Sequence, residues 1–152
     1  MLSSGGSMLA HPVSKFSLLL FCFAGLPSSS HARVQEKYGP EIRSFLEYVR
    51  HEDVELNFQL EHKEINRKDY LRSKNRLEIL KQAVLNYAKE TGQDLVPEYH
   101  VVAVSEVEEL IPGGTEALKG VKSGETIKEK WRFVGTAIRG EKFYILERIS
   151  NI

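Results

Sequence analysis

The sequence predicts an α+β domain: an N-terminal helical hairpin packed on a small antiparallel sheet that ends in a C-terminal β-hairpin over residues 131–149. Three observations carry this. Between Pro40 and Thr91 there is no Gly or Pro, and the apolar residues recur at helical spacing. From Leu95 to Val104 the pattern alternates as in a strand, and from Trp131 to Ile149 β-branched and aromatic residues crowd both sides of Arg139-Gly140. Runs of helix followed by runs of strand point to helices gathered on one face of an antiparallel sheet.

Residues 1–32 differ from the rest. One charge, Lys15, precedes an apolar run from Phe16 to Leu26, then Pro27 and serines lead to Ser30-His31-Ala32, the pattern of a secretory signal peptide removed before Arg33. The run is shorter than the roughly 20 residues a bilayer span needs, so no transmembrane anchor is expected after processing. Met8 is an alternative start. The single cysteine, Cys22, lies inside this run, so the processed chain is expected to lack disulfides, thiol chemistry and cysteine-ligated metals. Export to a periplasmic or extracellular location follows.

Residues 33–152 then form one domain, with helices near 40–62 and 67–90 and strands near 96–104, 131–138 and 141–149. Gly39-Pro40-Glu41 suits a helix start, because proline at the first helical position loses no hydrogen bond and an acid meets the positive end. Ile42, Phe45, Leu46 and Val49 form the apolar stripe of that helix. Asn66 can cap a second helix, with Ile65 and Tyr70 placed as a hydrophobic staple and Gly92 as terminator. The first helix is acidic and the second basic, which favours an antiparallel pair. Glu78 and Lys81 can pair across a turn of the second. After the strand at 95–104, Ser105 to Glu108 has capping-box spacing for a short helix reaching Ile111, and Pro112-Gly113-Gly114 ends it. Thr115–Lys119 suits one further turn, and 121–130 a loop with a short strand near Ile127.

A two-residue turn at Arg139-Gly140 sets the terminal register, with Arg132 opposite Glu147, Phe133 opposite Leu146, Gly135 beside Tyr144 and Trp131 opposite Arg148. A three-residue loop with Gly140 in a bulge shifts everything by one and loses the Arg132/Glu147 pair, so it ranks second. Both faces carry large apolar groups. Trp131, Phe133, Tyr144 and Leu146 share one of them, to be capped by the 105–130 segment or left as an interaction surface.

Catalytic chemistry finds little support. His51, Glu55 and Glu47 share a helix face but read more simply as a solvated surface. His100 sits between apolar neighbours in the strand and reads as structural. The glycines at 113, 114, 120, 124 and 140 lack the Gly-Lys pair and strand-loop-helix frame of a phosphate loop. No serine lies in a Gly-x-Ser-x-Gly elbow. No catalytic, cofactor or metal residue is therefore assigned.

Lys68, Arg72 and Arg76 recur every four residues as a basic stripe, which most simply faces water or the acidic first helix. With 21 cations against 21 anions, no nucleic-acid partner is expected from bulk charge; membrane-surface or nucleic-acid binding by the stripe alone ranks third. The leading expectation is a non-enzymatic exported protein that binds a protein partner or its own copy. The alternative is a small-ligand or hydrolytic domain with a pocket between helices and sheet.

Overall fold

The computed structural model describes residues 37–149. The segment expected to be a signal peptide, residues 1–32, lies outside that range with its Cys22. Two helices, α1 (Pro40–Glu61) and α2 (Arg67–Thr91), precede β1 (Tyr99–Ala103), the short helix α3 (Val107–Leu110), β2 (Thr126–Ile127), β3 (Trp131–Arg139) and β4 (Glu141–Arg148). The strands form one antiparallel sheet in the order β1-β4-β3-β2. The molecule is thus α+β, a helical hairpin on a sheet that ends in a β-hairpin.

The helix ends follow their local chemistry. Asn66 accepts a hydrogen bond from the Asp69 N–H at 3.0 Å, and Gly92 closes α2 at φ 67°, in the left-handed region that glycine enters without cost. The start of α1 is unusual. Gly39 has no side chain to cap with, and the carboxylate of Asp94, just beyond the end of α2, accepts from the N–H groups of Glu41 and Ile42 at 3.0 Å each. One helix terminus is therefore capped by the residue that follows the other. Between the helices, Ile42, Phe45 and Val49 pack on Val84 and Ala88, and Lys74 meets Asp53 at 2.6 Å.

The terminal hairpin combines both expected registers. Near the turn, Ile138 pairs with Lys142 and Arg139 with Glu141 around Gly140 at φ 72°, the three-residue geometry. At the far end, Trp131 still faces Arg148, Arg132 faces Glu147 and Phe133 faces Leu146. Val134 is the extra residue that reconciles them. It sits in a bulge between Phe133 and Gly135, so that Gly135 pairs with Ile145 rather than Tyr144. Because side chains alternate along a strand, one inserted residue also swaps the faces. Trp131 and Phe133 point away from the helices, whereas Ala137, of the same parity, packs with Ile79, Val101, Ala103 and Phe143 beneath α2.

The opposite face is covered by the chain between β1 and β3. Val107, Ile111, Leu118 and Ile127 bury Trp131, Phe133, Tyr144 and Leu146, which retain 9%, 8%, 8% and 0% of their exposure. Of the two outcomes open for this face, capping is the one observed. These four residues are core and offer no exposed surface to a partner.

Ser105 also departs from expectation. It is exposed within a 3-10 turn over Val104–Glu106, and the carboxylate that closes this turn is Glu106, two residues before the expected acid, accepting from the Ala103 N–H at 3.0 Å.

Candidate functional site

The end of the β-hairpin is fastened to α2 by two side chains, Arg72 and Asn75, and the turn after β1 by a third, Arg76. Arg72 makes a two-pronged contact with Glu141, Nε to Oε1 at 2.6 Å and Nη2 to Oε2 at 3.0 Å. Asn75 donates from Nδ2 to the Arg139 carbonyl at 3.0 Å. Arg76 binds both carboxylate oxygens of Glu106, at 2.7 and 2.5 Å. Partial burial pushes the Glu106 carboxyl up, but the Ala103 N–H, Arg76 and Arg72 together outweigh it and hold the group below the usual carboxylate range.

The basic stripe is thereby accounted for unevenly. Arg72 and Arg76 are half-buried and bound not to the acidic α1 but to carboxylates on β4 and in the turn after β1. Lys68 is exposed. Among the described residues this stripe leaves no run of free cations for phosphates, because two of its three charges are paired with carboxylates, Arg72 through Nε and Nη2 and Arg76 through Nη2 alone. The spacing that suggested the stripe recorded a helix face turned toward the sheet.

Beside this fastening lies a groove of about 410 Å³ between the two helices, with the β-hairpin turn at its end. Leu46, Val49 and Leu77 give it an apolar lining, and Arg50, Lys74, Lys81 and Arg139 bring positive charge. Lys74 is paired with Asp53, Lys81 with Glu78 at 2.6 Å, and Arg50 with Glu47 at 2.7 Å. Arg139 has no ion-pair partner among the described residues and acts on Glu78 only through space. Burial pushes the Glu78 carboxyl up, and bonds from Lys81 and Gln82 with the charges of Lys81 and Arg139 bring it below its ordinary value.

The histidines do not line this groove. His51 is exposed on α1, and no group of three potential metal ligands occurs among the described residues. His100 sits at the edge of the cap cluster, its ring edge-on to Trp131 at 4.8 Å and Nε2 3.4 Å from Glu98. That is a structural placement. Gly113, Gly114, Gly120, Gly124 and Gly140 all have positive φ and serve turns.

A second feature is the outer surface of α1. Val54 and Phe58, one turn apart, are 63% and 47% exposed, and the His62 ring stacks on Phe58 at 3.8 Å. Around them α1 carries six carboxylates against two arginines. Sequence reading offered a pocket between helices and sheet as its alternative but not these lining residues, because the groove depends on Arg139 meeting residues some sixty positions earlier, and it did not single out Val54 and Phe58, which lie off the stripe that packs against α2. No helix among the described residues is long and apolar enough to cross a membrane. Compared with known proteins, the chain matches no family model, no curated sequence and no solved structure.

Proposed function

We propose that this is an exported, non-enzymatic binding protein that engages a protein partner through the outer face of α1. The observation that carries the reading is the exposure of Val54 and Phe58 on a helix whose inward face is already satisfied by α2. Exposed apolar groups one turn apart on the same helix form a patch, and such patches mark contact surfaces. The acidic surroundings choose the partner. Two copies of α1 laid face to face bring six carboxylates against six, and like charges suppress that pairing. A basic-rimmed apolar surface on another molecule fits instead. Export rests on the residue pattern of 1–32.

The test uses an amphipathic helical peptide of Leu and Lys, with a Leu/Glu peptide as control. Calorimetry is expected to show binding of the basic peptide alone, weakening as salt rises. The double variant Val54→Lys/Phe58→Lys is expected to lose at least about tenfold in affinity. Equal binding of both peptides, or no loss in the variant, overturns the proposal, as does a stable dimer of the protein that the variant dissolves. N-terminal sequencing of the native protein supports export if it begins at Arg33 and removes it if it begins at Met1 or Met8.

A further inference from the structure

We propose that the groove between the helical hairpin and the β-hairpin turn binds an amphipathic anion, a carboxylate or phosphate carried on a short apolar chain, with Arg139 as its anchor. Three observations converge on it, none involving the outer face of α1 used above. The groove is half open to solvent and has a volume of about 410 Å³, within the range that holds a small organic molecule. Its charges do not cancel. Asp53 and Glu78 each answer one lysine, and Arg139 is left with no carboxylate in ion-pair range among the described residues. The apolar side chains of Leu46, Val49 and Leu77 line the same space, so one molecule can satisfy both.

The placement of Arg139 is the third observation. Its carbonyl is held by Asn75, and two residues on, Glu141 is held by the Arg72 fork. Gly140 between them turns back at φ 72°, and a Cβ there would meet Asn75 Nδ2 at 3.6 Å. The backbone of the turn is thereby held on both sides of Gly140, so that binding orders only the exposed Arg139 side chain and not the loop that carries it. A guanidinium also matches a carboxylate or phosphate with two parallel N–H···O bonds, which an ammonium cannot do.

Octyl phosphate, octanoate, octanol and inorganic phosphate are the probes, titrated into the purified protein by calorimetry and by NMR of the Asn75 side-chain amide and the Arg139 Nε–H. Both anionic amphiphiles are expected to bind and to move those two signals, with octanol and inorganic phosphate each at least about tenfold weaker. Arg139→Gln is expected to bring the anions down to the level of octanol, and Arg139→Lys to restore part of the difference. Leu77→Lys, which keeps the anchor and fills the apolar lining, is expected to bring octyl phosphate down to the level of inorganic phosphate. The proposal fails if octanol binds as tightly as octanoate, if inorganic phosphate equals octyl phosphate in the unaltered protein, if Arg139→Gln changes nothing, or if no probe binds at millimolar concentration. Val54→Lys/Phe58→Lys leaves these affinities unchanged, so failure here and failure of the α1 reading are told apart.

Discussion

Asp94 and Gly39 form a dependent pair. The backbone of Gly39 is ordinary, at φ −69° and ψ 176°, so its lack of a side chain is needed for space rather than for conformation. A Cβ at that position would stand 2.2 Å from the Asp94 carboxylate. Asp94→Ala removes both acceptors at the start of α1 and is expected to cost about 1–2 kcal/mol, the range for losing a helix cap. Gly39→Ala pushes the same carboxylate away and is expected to cost a similar amount through the same loss. The double variant then costs little more than either single one, because both remove one interaction. Urea denaturation of the four proteins checks this; additive losses would mean that Gly39 acts independently of the cap. None of this was legible in the sequence. Gly39-Pro40 correctly marks a helix start, but a cap supplied from a residue more than fifty positions later leaves no local pattern.

At the scale of elements, the bulge at Val134 decides what each half of β3 does. Deleting a residue from an ordinary strand reverses the facing of everything beyond it. Deleting Val134 removes only the residue that has no partner, so Phe133 stays opposite Leu146 and Gly135 opposite Ile145. The shortened protein loses the bond from Ser123 Oγ to the Val134 carbonyl and some twist. It is expected to fold cooperatively with reduced stability. Deleting Ile145 from β4, which pairs with β3 on one side and β1 on the other, breaks two registers and is expected to abolish folding. Far-UV circular dichroism and a urea transition distinguish the outcomes, and a collapsed, non-cooperative Val134 deletion would show that the bulge is required. Turn chemistry at Gly140 and charge pairing at Arg132/Glu147 each pointed to a true local geometry, and read together they conflict by one residue. The conflict was the signal of a bulge, and a strand read as regular throughout had to discard one of the two.

For the whole molecule, the consequence of covering both faces is that the sheet joins two separate apolar layers. Neighbouring residues of β4 belong to different ones: Phe143 lies under α2 with Ile79, and Tyr144 lies under the cap with Val107 and Ile111. The alternation that predicted two apolar faces was readable. The helices over one face were readable as well, but the cover of the other face stayed open between the 105–130 segment and a partner, because that segment carries its apolar residues at irregular spacing. Ile79 and Ile111 are buried to 4% and 0% exposure, on opposite sides. Replacing either by alanine is expected to cost about 2–5 kcal/mol, the range for a large buried aliphatic group. Only Ile111→Ala opens space in the layer that holds Trp131, so only that variant is expected to shift native tryptophan emission to the red. Since β4 contributes to both layers, each variant is expected to unfold in a single transition, with fluorescence and circular dichroism coincident. Separate transitions in Ile111→Ala, tryptophan first, would mean instead that the cap opens as a unit of its own and that the face holding Trp131, Phe133, Tyr144 and Leu146 becomes accessible without unfolding the helices.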